Sequence, residues 1–169
     1  GTGIDTFVLD DGWFGKRDND LSGLGDWFVN EKKVDLAKVV KYTHEQGLKF
    51  GLWFEPEMVN QDSNLFRAHP DWAMHVDGLK PCPGRDQLVL DLTRKEVRDY
   101  VVESVSSVIK EYGIDYVKWD MNRQLTDLGS FMLDSESQGE LSHRYVLGVY
   151  ELQGRLTKEF PKLGWRSSF

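Results

Sequence analysis

Ile114-Asp115-Tyr116-Val117-Lys118-Trp119-Asp120 reads as one buried strand that stops on a carboxylate, with Met121-Asn122-Arg123 following at once. Its large and β-branched residues fit a pleated surface. The same pattern occurs twice upstream. Ile4 to Leu9 runs into Asp10-Asp11-Gly12-Trp13, and Leu48 to Phe54 runs into Glu55-Pro56-Glu57. Each run is almost continuously apolar, as strands covered on both faces of a parallel sheet are.

Helices separate these strands. Asp35 is placed to cap a helix through Gln46, with Leu36, Val39, Val40 and Tyr42 at helical spacing and Gly47 at its end. Thr93-Arg94-Lys95-Glu96 reads as a capping box. The helix it opens runs to Tyr112, with Val97, Val101, Val105, Val108 and Ile109 on one face and Gly113 ending it. A third helix, Leu141 to Phe160, buries Tyr145, Val149, Leu152, Leu156 and Phe160. Gly148 and Gly154 are expected to weaken it, and Pro161 ends it. Phe14 to Lys33 and Gln61 to Arg85 read as loops, the second with a helical turn near Ser63–Arg67. Pro56 is expected to stop regular pairing, Gln87 to Leu92 is a short strand, and Lys162 to Phe169 gives no reading. The order βαβαβα implies a parallel sheet with right-handed crossovers.

Composition narrows the function. A chain of 169 residues suggests one domain, and 40% hydrophobic residues exclude a disordered chain. No apolar run approaches the roughly 18 residues of a membrane span. The chain carries 28 Asp and Glu against 21 Lys and Arg, a formal charge of −7. That balance argues against a nucleic-acid surface, which needs clustered cations. One cysteine, Cys82, excludes an internal disulfide and a Cys-rich zinc site. No charged-then-apolar leader is visible, so the expected location is cytoplasmic. The abrupt opening Gly1-Thr2-Gly3 before a buried strand reads as a piece of something longer.

Five carboxylates stand at three strand ends: Asp10, Asp11, Glu55, Glu57 and Asp120. In parallel α/β folds these ends form the ligand face. Strand alternation puts Lys118 and Asp120 on one face, as it does Trp53 and Glu55, and sets Phe7 and Leu9 opposite Asp10 to pack against helices. An ammonium beside Asp120 favours its ionised form, which suits a nucleophile or electrostatic stabiliser. Trp13, Trp53 and Trp119 lie beside these acids, and a sugar offers hydroxyls to carboxylates and C–H faces to rings. The competing readings are a structural ion pair for Lys118, core filling for the tryptophans, and a metal-dependent barrel enzyme using the same carboxylates. Arg85 is either a substrate clamp or a surface residue. Cys82 reads as inert. His44, His69, His75 and His143 show no ligand spacing, and H-E-x-x-H, P-loop and G-x-G-x-x-G motifs are absent.

These residues resemble glycoside hydrolase family 36, the bacterial α-galactosidases or melibiases. The matching stretches are Phe7 to Gly15, Leu24-Gly25-Asp26-Trp27, Phe50 to Val59, His69-Pro70-Asp71-Trp72, Gln87 to Leu92 and Tyr116 to Arg123, in the family's order and spacing. They span about residues 3 to 161. The resemblance implies a (β/α)8 TIM barrel, of which this α/β chain would be a partial catalytic domain, about strands 2–4 with their helices. It implies retaining hydrolysis of terminal α-D-galactosyl residues through a covalent galactosyl-enzyme. Asp120 matches the nucleophile. Asp10 and Asp11 match the pair that binds galactose hydroxyls, and Trp53, Arg85, Lys118 and Asn122 match further substrate contacts. No metal or cofactor is implied, and the partner is an α-galactoside, with no nucleic acid or membrane. The family's acid/base Asp lies past the last residue here, and the tail 162–169 does not match. Retaining chemistry needs both carboxyls, so the chain is expected to be inactive alone. The alternative is a non-catalytic galactoside-binding remnant, or a partner of the remaining barrel or of a second copy.

Overall fold

The computed structural model describes residues 3–74, 87–120 and 140–167. Four parallel strands form the main sheet: β1 (Thr6–Leu9), β2 (Lys49–Phe54), β5 (Tyr116–Trp119) and β6 (Gly164–Ser167), side by side in that order. A two-stranded antiparallel ribbon, β3 (Met58–Asn60) with β4 (Gln87–Val89), is inserted after β2. The helices are α1 (Leu36–Glu45), α2 (Asn64–Ala68), α3 (Lys95–Tyr112) and α4 (Leu141–Glu159). The parallel α/β order is therefore as expected, with half the eight strands of a closed barrel.

Several local readings hold. Asp35 caps α1 by accepting the Lys38 N–H at 3.1 Å. The predicted stripe of α3 is buried, and Gly113 ends that helix with φ of 66°. Tyr145, Val149, Leu152 and Leu156 of α4 are buried, while Phe160 is half-buried.

Five readings are corrected. The unread tail forms β6, which pairs with β5 from Tyr116↔Gly164 to Trp119↔Ser167. Pro56 does not end pairing, because the chain resumes two residues later as β3. The Thr93–Glu96 capping box does not form. Thr93 gives its N–H and hydroxyl to Asp91 Oδ1, Arg94 is the N-cap, and Arg94 Nε donates to Glu96 Oε1 at 2.8 Å. Asp91 takes both donors of Thr93 and the Arg94 guanidinium takes the Glu96 carboxylate, so neither half of the box is left for the other. Gly148 is a close approach rather than a weak point, since a Cβ there would collide with the Leu92 carbonyl. Phe7 is 46% exposed, because β1 is an outer strand and no described helix covers that part of it.

One row across the sheet alternates small and large residues. In register, Tyr116 lies between Gly51 on one side and Gly164 on the other. A Cβ on Gly51 would lie 2.9 Å from Tyr116 Cδ1, and one on Gly164 would lie 2.6 Å from Cδ2. The ring fills the space that both glycines leave, the layered filling typical of barrel sheets.

Candidate active site

The register lines up the strand ends. Leu9 pairs with Leu52, and Leu52 with Val117, so Asp10 falls in the row of Trp53 and Lys118. Residues of one row in a parallel sheet face the same way. Lys118 Nζ accordingly reaches past Trp53 to Asp10 Oδ2 at 2.7 Å. Two residues beyond Lys118, Asp120 extends the ladder by donating its N–H to the Phe54 carbonyl at 2.8 Å.

Asp120 meets β2 a second time. Trp53 Nε1 donates to Asp120 Oδ2 at 3.0 Å. Asp10, Lys118, Trp53 and Asp120 are thus brought together at one end of the sheet. Arg85 and Asn122 lie outside the described residues, as do Cys82 and His75.

The charges are set by these contacts. Burial works to raise the Asp10 pKa, but the Lys118 bond and charge and the Asp11 N–H outweigh it and hold it below the usual carboxylate value. Asp11 turns the other way and accepts a guanidinium fork from Arg17, with Nε at 3.0 Å from Oδ1 and Nη2 at 2.8 Å from Oδ2. Gly12, with φ of 102°, makes the turn that separates the two acids from Trp13.

Arg17 was not singled out from the sequence. Its buried guanidinium also donates to the Ser22 carbonyl at 3.1 Å and to Asn60 Oδ1 at 3.3 Å. It therefore ties the long loop 14–33 to β3. The signal available was a lone arginine six residues past an acid pair, which is weak without the fold.

The three tryptophans are buried: Trp13 is 2% exposed, Trp53 4% and Trp119 0%. Their rings do not form an open wall. Each indole N–H is committed across a strand boundary: Trp13 to the Trp53 carbonyl at 3.0 Å, Trp53 to Asp120, and Trp119 to Glu57 Oε1 at 2.7 Å. Phe14, Trp27 and Phe54 pack around Trp13 and Trp53 with ring centroids 4.5–6.2 Å apart.

Glu57 has the electrostatics of a general acid without the access. Burial pushes its pKa up to about 8, helped by the charges of Glu55 and Asp120 and opposed by the Trp119 bond. Yet it is 2% exposed, so no substrate oxygen can reach it. Among the described residues, no three of His, Cys, Asp and Glu gather so as to hold a metal ion. No described helix is long and apolar enough to cross a membrane.

Comparison with known proteins gives one consistent picture. The Melibiase family model matches residues 1–168. Alpha-galactosidase Mel36A of Lactobacillus acidophilus is 55% identical over 163 residues, covering 95% of this chain and 22% of the relative. Alpha-galactosidase AgaA of Geobacillus stearothermophilus is 50% identical over 167 residues, covering 98% of this chain and 23% of the relative. The chain thus spans under a quarter of the length of these relatives. The crystal structure of the Lactobacillus brevis alpha-galactosidase superposes with a TM-score of 0.92 at 52% identity, over 98% of this chain and 22% of that one. AgaA carrying A355E and D548N, solved with raffinose, superposes with a TM-score of 0.92 at 50% identity, over 98% and 23%.

Proposed function

Since the chain belongs to the Melibiase family, we propose that it is the nucleophile-bearing portion of a retaining α-galactosidase catalytic barrel. The observation that carries this reading is the position of Asp120. It stands at the C-terminal end of a parallel strand, with the Trp53 indole on one oxygen and the Lys118–Asp10 pair beside it. An indole donor and a neighbouring ammonium favour a carboxylate that is ionised and fixed in place, as a nucleophile must be.

In the proposed reaction an Asp120 oxygen attacks the anomeric carbon of an α-galactosyl unit. A carbon–oxygen ester bond forms as the bond to the leaving oxygen breaks, and an acid supplies the proton to that oxygen. Water, deprotonated by the same group, later cleaves the ester with a second inversion, so configuration is retained. Asp10, Asp11, Trp53, Lys118, Arg85 and Asn122 are proposed to bind the sugar. No residue of this chain matches the acid/base, and burial rules out Glu57 for that role. Little turnover is therefore expected from these 169 residues alone. Raffinose and stachyose, bound by structures of AgaA variants, exemplify the proposed substrate class.

The test uses α-galactosyl fluoride, whose fluoride departs without protonation. The chain should release about one equivalent of fluoride and carry a galactosyl adduct on the peptide containing Asp120. Asp120→Ala should give neither. A wild-type chain that never forms the adduct overturns the nucleophile, and sustained cleavage of raffinose overturns the inactivity.

One observation favours a second reading. Among the described residues no strand pairs with the outer edges of β1 and β6, which suits a partner that completes a split barrel. Galactose binding by calorimetry without adduct formation would support that binding role.

A further inference from the structure

We propose that Glu57 is a positioning residue for Asp120: by holding the Trp119 indole on the opposite face of β5, it sets where the Asp120 carboxylate sits. The inference rests on the reading of Asp120 as the nucleophile.

The geometry is a pair of crossed indole bonds between two adjacent strands. From β2, Trp53 donates to Asp120, which follows β5. From β5, Trp119 donates to Glu57, which follows β2. Trp119 and Asp120 are consecutive, so their side chains leave the strand on opposite faces. Trp119 is fully buried and packs against Trp165 with centroids 5.9 Å apart. Fixing its ring fixes the peptide that carries Asp120.

Glu57 is itself anchored. Its carbonyl accepts the Leu90 N–H at 2.7 Å, and the Glu55 carbonyl accepts the Met58 N–H at 3.2 Å. The chain turns sharply between the two glutamates and is then clamped by the segment after β4. Glu57 Oε2 is buried and has no hydrogen-bond partner among the described residues. A carboxylate left half-satisfied in such a site is costly, whereas a neutral carboxyl accepts one indole bond at modest cost. The titratable groups facing Glu57 are Glu55, Asp120 and, from α4, Tyr145, which faces Asp91 in turn. All are acids, so ionising Glu57 adds repulsion on both sides of β5. Burial places that ionisation near pH 8.

The test follows the indole N–H resonances of the whole chain between about pH 6 and 9, assigned with Trp119→Phe and Trp53→Phe. The Trp119 and Trp53 signals should shift together with one midpoint near 8, and both should stay flat in Glu57→Gln. A merely structural Glu57 would move Trp119 alone. A flat Trp53 signal, or a Trp53 transition that persists in Glu57→Gln, overturns the proposal. The α-galactosyl fluoride labelling rate should also fall at least about threefold above that midpoint in the wild type but not in Glu57→Gln. If the wild type is never labelled, the galactosidase reading fails, and the indole titration still decides the role of Glu57.

Discussion

Lys118 Nζ lies 2.7 Å from Asp10 Oδ2, so the first and third strands of the sheet are joined over the top of the strand between them. Sequence alternation had paired Lys118 with Asp120. The register carries its ammonium across Trp53 to an acid 108 residues away.

Lys118→Met should therefore raise the Asp10 pKa. Burial already pushes that carboxyl up, and Lys118 is the main group holding it down. A lowered folded-state pKa contributes stability above the unfolded value, and that contribution is lost as pH falls through the folded one. The Asp10 side chain is 63% exposed, so solvent screening limits the stability change at neutral pH to less than about 1 kcal/mol. Carboxyl-carbon NMR titration of Asp10 checks the direction, and an unmoved titration would remove Lys118 as the cause.

Glu57 titrates with the opposite sign. Its pKa rises from 4.5 to about 8 on folding, chiefly through burial. The folded state thus holds a proton that the unfolded state has lost between those values. Its contribution is complete below 4.5 and disappears as pH climbs toward 8. Urea midpoints of wild type minus those of Glu57→Gln should decline steadily over that window. A constant difference would contradict a buried neutral carboxyl.

Arg17 supports the loop that presents Asp11. Arg17→Met keeps much of the stem's packing but removes the fork on Asp11 and the bonds to the Ser22 carbonyl and Asn60. A loss of about 2–4 kcal/mol is expected, because buried charge-assisted bonds are costly to delete from one side. Chemical denaturation measures it. Amide exchange should also speed up across residues 14–33 before it does in α1.

The two α4 glycines should respond in opposite ways. A Cβ at Gly154 meets nothing within 4 Å, so Gly154→Ala should stabilise by about 0.5–1 kcal/mol. A Cβ at Gly148 strikes the Leu92 carbonyl, and Gly148→Ala should destabilise by about 1–3 kcal/mol. Thermal melts of the two variants compare them directly, and equal shifts would contradict the close approach.

What the sequence conveyed follows from what is local. The apolar stripe of α3, the Asp35 cap and the Gly113 stop are encoded within a few residues, and all are seen; in α1 Leu36 and Val40 are buried, but Tyr42, at the same helical spacing, is 63% exposed. The acids at the strand ends were legible because a parallel strand ends where its apolar run ends. The strand β4 lies within the expected strand Gln87 to Leu92, but β3 and its pairing with β4 were hidden because the partners lie about 30 residues apart in sequence, with no shared pattern. The strand β6 was hidden because Gly164, Arg166 and Ser167 break any apolar run, leaving Trp165 as its lone large apolar residue. The direction of each indole N–H depends on the register of two strands at once, which no single segment records. Arg17 was passed over for the same reason, and Glu57, read as one of the strand-end carboxylates, gave no sign of its indole partner.

The row Gly51, Tyr116 and Gly164 imposes a further constraint, on how the sequence can vary. The phenol ring lies where two backbones carry only hydrogen, so a one-residue slip of the last strand would wedge Leu163 or Trp165 against it. The row therefore works as a key that admits a single alignment of three strands. It also couples three distant codons. A side chain gained at position 51 or 164 is tolerated only with a smaller one at 116, so substitutions there should accumulate as compensating sets and not singly.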